Sequence, residues 1–143
     1  MRINISKVAP QAYDAILGLE KYLSGSGLDK KLFELIKIRA SQINGCAYCI
    51  NMHVRDAQKI GETSQRLFLL DVWRETDLFS EKERAVLALT EAITLITNGH
   101  VQDEIYNEAA SKMTEQELAA VIMSIVTINA WNRIAITSRT PLD

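Results

Sequence analysis

Apolar residues recur along this chain at three- and four-residue steps, and almost nowhere in the strict alternation of a half-buried strand. From Pro10 the pattern predicts a helix to about Leu23, with proline in the first turn and a stop at Ser24-Gly25-Ser26-Gly27. Asp29 suits the N-cap of a second helix, whose apolar face is Leu32, Leu35, Ile36, Ala40 and Ile43, widened by Phe33 and Ile38. Asn44-Gly45 closes it, because both residue types tolerate the left-handed conformation that ends helices. A third helix follows at once and stops near Gly61. A fourth, from Thr63-Ser64, carries Leu67, Phe68, Leu70 and Trp73. Ser80-Glu81-Lys82-Glu83 is a capping-box pattern that opens a fifth helix through Ala85, Val86, Leu89, Ile93 and Ile96 to Asn98-Gly99. A sixth covers about Gln102 to Ser111, and a second capping box, Thr114-Glu115-Gln116-Glu117, opens the last. The expectation is an all-α bundle of six or seven helices, arranged around the hairpin that Asn44-Gly45 turns.

The last helix is unusually apolar from Leu118 to Ile136, long enough to span a bilayer. Asn129, Asn132 and Arg133 inside it argue instead for burial in the domain or at a subunit interface, since such groups are costly in lipid. Hydrophobic residues make up 48% of the 143 positions and charged residues 24%, ordinary values for one globular domain over 1–143. The net charge of −2, with basic residues scattered, offers no footprint for nucleic acid or an anionic membrane. The N-terminal stretch has no continuous apolar core of the kind a secretory signal needs. The expected compartment is therefore the reducing cytoplasm, where a close cysteine pair points to redox or metal chemistry rather than to a structural staple.

That pair lies in the third helix. Cys46, Cys49, Ile50, His53, Ala57 and Ile60 form one helical stripe, so both thiols of the chain and an imidazole point together toward the interior. A helix opening at Asn44-Gly45 places both cysteines in its first turn, where unpaired backbone N–H groups favour a thiolate. By this argument Cys46 is the better-stabilised of the two. The Cys-x-x-Cys spacing also lets the sulfurs reach disulfide geometry. His53, one turn beyond Cys49, is placed to accept or relay a thiol proton. Across the hairpin, Glu34 lies at a comparable distance from the turn, and its neighbours Phe33 and Leu35 predict partial burial. A buried carboxylate there can orient the imidazole and raise its basicity, or accept a proton through water.

Other readings of these residues remain open. Cys46, Cys49 and His53 could hold zinc, but a closed structural site wants four ligands and there is no second Cys-x-x-Cys. His100, beside Gly99 in an expected loop, is a distant candidate for the fourth. Tyr48 could simply shield the site, and Asn129, Trp131, Asn132 and Arg133 suit packing and polar contacts. A non-enzymatic redox-sensing or metal-binding module is the alternative to an enzyme.

The register from Glu34 through Arg39-Ala40-Ser41-Gln42-Ile43-Asn44-Gly45-Cys46-Ala47-Tyr48-Cys49 to His53 closely resembles the core motif of alkylhydroperoxidase D-like proteins, within the carboxymuconolactone decarboxylase superfamily. The likeness continues through Ala57–Thr63, Glu83–Ala92 and Ile128–Arg133, so it covers nearly the whole chain. The resemblance implies an all-α fold, assembly as a trimer or hexamer, and a thiol peroxidase. It makes Cys49 the peroxide-attacking thiolate, Cys46 the resolving thiol, and His53 with Glu34 the proton relay. The implied partners are a hydroperoxide and an external dithiol or protein reductant. No nucleotide-binding glycine motif is present and no cofactor or metal is implied. The best-studied branch has a second histidine between the cysteines, where this chain has Tyr48, so the relay rests on His53 and Glu34. The decarboxylase branch lacks the cysteine pair, which disfavours decarboxylation here.

Overall fold

A computed structural model of the chain describes residues 1–142. Among them are eight α-helices and one 3-10 helix, with no strand. In order they are α1 (Ile5–Val8), α2 (Pro10–Ser24), α3 (Lys30–Asn44), α4 (Ala47–Lys59), α5 (Ser64–Phe68), the 3-10 helix Leu70–Glu75, α6 (Glu81–Thr94), α7 (Asp103–Ser111) and α8 (Glu115–Ser138).

The bundle is built on α3. Its residues Leu35, Ile36, Ile38 and Ala40 are wholly buried, as expected of a helix apolar on more than one side. Leu32 and Ile36 enter a cluster with Val86, Leu89, Val121 and Ile125 of α6 and α8. Leu35 and Ile38 enter a second cluster with Ala57, Leu70, Trp73 and Leu87. Another side of α3 carries a polar line, Glu34, Lys37, Ser41 and Asn44, at three- and four-residue steps.

The chain reverses at Gly45, whose φ of 72° is left-handed and suits glycine. The Cys46 N–H then reaches back to the Ser41 carbonyl at 3.0 Å, closing the end of α3 as α4 begins. Side chains fasten the hairpin to α8. Asn44 Nδ2 donates to Asn132 Oδ1 at 2.9 Å and to Asn129 Oδ1 at 3.0 Å, and Asn132 Nδ2 donates to Ser41 Oγ at 2.9 Å. Asn132 is fully buried, so its bonds to Asn44 and Ser41 satisfy groups that would otherwise be costly to desolvate. The expected polar contacts of Asn129 and Asn132 are thus to the cysteine hairpin.

Helix α8 is long and apolar enough to cross a bilayer by length and composition. In this fold it packs against α2, α3, α4, α6 and α7.

Four expectations about the elements need revision. Helix α1 lies ahead of the first predicted helix, started by the Asn4 side chain accepting from the Lys7 N–H. The fourth helix breaks into α5 and the 3-10 helix, leaving Phe68 80% exposed while Leu67, Leu70 and Trp73 are buried. Helix α6 ends at Thr94 rather than Gly99, so Ile96 is exposed. The second capping box is half formed. Thr114 accepts from the Glu117 N–H, but the Glu117 carboxylate turns to Lys82 instead of back to the cap. Ser80 and Glu83 do form the reciprocal pair.

Two charged clusters tie down the far side. Glu91 accepts from Arg39 Nε at 3.1 Å, Trp73 Nε1 at 2.9 Å and Arg74. Burial pushes its carboxyl up, yet the hydrogen bonds from Arg74 and Trp73, with the nearby arginine charges, hold it below its ordinary value. Arg66 joins Glu62 and Glu83. Burial likewise opposes ionisation of Glu83, and Arg66 with the Ser80 cap outweighs it, so that carboxyl too is lowered.

Candidate functional site

The first turn of α4 positions the two sulfurs. Cys46 is the N-cap, with extended backbone, and its Sγ accepts from the Cys49 N–H at 3.4 Å. Cys49 stands one turn on, and the two are joined as a disulfide with their Cα atoms 5.3 Å apart. Both are nearly inaccessible, at 1% and 2% exposure, and they pack against Ala135 of α8 with Tyr48 alongside. A sulfur at an N-cap meets the orphan N–H groups and the positive end of the helix, which favours its thiolate once the disulfide is reduced.

His53 follows Cys49 by one turn and is 6% exposed. Its Nδ1 lies 3.1 Å from Glu34 Oε2 across the hairpin. A carboxylate accepts only, so Nδ1 carries the proton and Nε2 is left with a lone pair. Glu34 Oε1 accepts from Lys37 Nζ at 3.1 Å, so the carboxylate is shared by an ammonium and an imidazole. The ammonium also lies 3.6 Å above the Phe33 ring. No sequence argument singled out Lys37. The sequence trace of the pairing is only its three-residue step from Glu34, with Leu35, Ile36 and Ile38 around it.

His53 and Lys37 border a cavity of about 450 Å³ together with Cys49 and Tyr48, whereas Glu34 and Cys46 do not line it. Much of the remaining lining comes from α2 and α8. Trp131, Ile134, Ala135 and Ser138 make one stripe of α8, joined by Tyr13, Leu17 and Glu20 of α2. Tyr13 meets Trp131 edge to face, with ring centroids 5.0 Å apart, and Trp131 Nε1 donates to Glu20 Oε1 at 2.9 Å. The N-terminal segment covers one end, held by the Arg2 N–H on the Ser138 carbonyl at 2.7 Å. Trp131 thus has a place at the cavity beyond the packing role read from the sequence.

The structure brings Glu34, Cys46, Cys49 and His53 together and leaves His100 elsewhere. His100 is exposed and borders a separate depression with Arg74 and Glu91. Glu34, His53 and Asp56 bring three donor atoms within 4.8 Å of one another, the geometry of a cation site. Lys37 already supplies a positive charge to that carboxylate, so the cluster is balanced without an ion.

A family model described as the carboxymuconolactone decarboxylase family matches residues 10–92. The uncharacterized Bacillus subtilis (strain 168) protein YdfG is 43% identical over 135 residues, which are 94% of this chain and 92% of YdfG. Among solved structures, an Agrobacterium tumefaciens protein of unknown function, described as a candidate antioxidant defence protein AhpD, superposes with a TM-score of 0.95 at 38% identity. The match covers 99% of this chain and 97% of that one. The debrominase Bmp8, solved with 2,3,4-tribromopyrrole, shares the fold at a TM-score of 0.82 and 19% identity, over 96% of this chain and 73% of its own.

Proposed function

This chain belongs to the carboxymuconolactone decarboxylase family, on its AhpD-like branch, and from that membership we propose that it is a thiol-dependent peroxidase acting on organic hydroperoxides. The observation that carries the reading is a Cys-x-x-Cys disulfide beside a carboxylate–imidazole pair on one largely apolar cavity.

The cycle starts from the dithiol. His53 Nε2 takes the proton of the Cys49 thiol while Glu34 holds Nδ1–H and supports the charged ring. The Cys49 thiolate attacks one oxygen of R–O–O–H. An S–O bond forms, the O–O bond breaks, and the alkoxide takes the proton from His53 and leaves as alcohol. Cys46 then gives up its thiol proton and its sulfur attacks the sulfenic acid sulfur; the S–S bond forms, the S–O bond breaks, and the hydroxyl leaves with that proton as water. An external dithiol exchanges with that disulfide, is itself oxidised to a disulfide, and returns both thiols.

The division of labour follows from placement. Cys49 lines the cavity beside His53, which suits the attacking sulfur. Cys46 caps the helix, which suits a good leaving thiolate when the reductant attacks Cys49. Tyr48, between the cysteines in sequence, lines the cavity and carries no imidazole, so His53 is the sole imidazole of the cycle.

The reading includes a single domain working in the cytoplasm as a homo-oligomer. Apolar side chains on the outer faces of α2 and α8 support the last point: Tyr22, Val126 and Ile136 are each 43–47% exposed. The alternative is a redox-sensing or metal-binding module that does not turn over. Peroxide consumption with several dithiol donors, run beside metal analysis, separates them. Sustained consumption at catalytic protein concentration supports the peroxidase. One equivalent consumed, or zinc bound by protected thiols, sinks it.

A further inference from the structure

Lys37 has no part in the cycle above, yet it is the most unusual residue of the site. It is 7% exposed on the central helix, among neighbours that are fully buried. A lysine is rarely placed so deep without a partner that fixes its charge. Glu34 is that partner, at 3.1 Å, and the ring of Phe33 lies beneath the ammonium at 3.6 Å. Neutralising Glu34 accounts for one of its three N–H groups. Glu34 Oε1 is the one hydrogen-bond acceptor it has among the described residues, so two N–H groups remain for a ligand. Lys37 also borders the same cavity as Cys49 and His53.

Resting on the peroxidase reading, we propose that Lys37 is a third catalytic group, whose ammonium holds the oxygen that leaves when the O–O bond breaks. Attack by the Cys49 thiolate moves a full negative charge onto that oxygen, in a cavity walled mainly by apolar side chains. A fixed cation facing developing charge in such a setting lowers the barrier, because it is oriented before the reaction begins. Glu34 holds the ammonium with one oxygen and the imidazole with the other, so the cation and the proton donor reach the leaving oxygen from one carboxylate. Lys37 keeps its protons throughout. The proton that completes the alcohol is the one Cys49 gave to His53.

The test is single-turnover oxidation of the reduced protein by ring-substituted cumyl hydroperoxides, which vary the acidity of the leaving alcohol at nearly constant shape. Lys37→Met is expected to slow the reaction by about 10²-fold, the usual effect of losing one oxyanion donor. It should also steepen the dependence on leaving-alcohol acidity, and Lys37→Arg should restore most of both. Oxidation of the same thiols by diamide, which has no O–O bond, should be little changed. A uniform loss across the series, with an unchanged slope and an equal loss with diamide, overturns the role and leaves Lys37 a structural counter-ion. If Lys37→Met does not fold, Glu34→Gln/Lys37→Met is compared with Glu34→Gln, and equal slopes overturn the role in the same way. A native protein that consumes none of these peroxides removes the peroxidase reading as well, an outcome distinct from an active protein with parallel slopes.

Discussion

Cys46 and Cys49 are bonded across one turn of α4, but only Cys49 reaches the cavity that His53 borders. Helix electrostatics and cavity access therefore favour different sulfurs. In the reduced protein the N-cap favours a thiolate at Cys46, while Cys49 is the one of the two that borders the cavity. Cys49→Ser should abolish peroxide reduction. Cys46→Ser should react once and stop at a sulfenic acid, which a dimedone-type reagent labels on Cys49. Label on Cys46 in Cys49→Ser, with none on Cys49 in Cys46→Ser, would reverse the roles.

His53→Gln and Glu34→Gln should each slow the first oxidation by about 10²–10⁴-fold, the usual range for general acid–base help. They should part company in stability. Glu34→Gln leaves Lys37 without its counter-charge at a mostly buried site, a loss of up to about 3 kcal/mol. His53→Gln removes no counter-ion and should unfold at nearly the native urea midpoint. Equal midpoints for the two variants would refute the buried pairing.

Acid should weaken the fold through Glu91 and Glu83. Both carboxyls are held below their ordinary value in the folded chain, so each contributes stability above the unfolded value of about 4.3. That contribution disappears as pH falls through the lowered folded values. Glu91→Gln should therefore cost more at pH 7 than at pH 3, read from urea midpoints at the two pH values. An equal cost at both would mean that the charge of Glu91 does not matter.

Light scattering at micromolar concentration should give a mass well above the 16.1 kDa of one chain. Replacing Val126 and Ile136, both exposed on α8, with lysine should lower it if that face is the contact. A native protein measured at 16.1 kDa rules out a stable homo-oligomer.

The hairpin was legible because every signal for it is local. Asn44-Gly45 is a helix stop, Cys46 through His53 is a helical register, and the Glu34 position follows from folding one helix back on the next. Lys37 was not, because a lysine on a helix is ordinarily solvated; only knowing that α3 is covered on two sides reveals its burial. The break between Phe68 and Leu70 was missed for a related reason. Leu67, Leu70 and Trp73 fit a helical stripe, but packing all three tightens the second half into a 3-10 turn and sends Phe68 outward. Glu117 shows the same limit at a cap: the pattern is local, whereas the competitor Lys82 arrives from another helix.

The lining of the cavity has two origins. Lys37, Cys49 and His53 stand on α3 and α4, and Glu34 joins Lys37 and His53 by hydrogen bonds. Much of the rest is a largely aromatic and aliphatic surface on α2 and α8, carrying neither cysteine. Under the proposed reading, a substitution at Tyr13, Leu17 or Ile134 would change which molecules fit the cavity and leave Cys49 and His53 themselves unaltered.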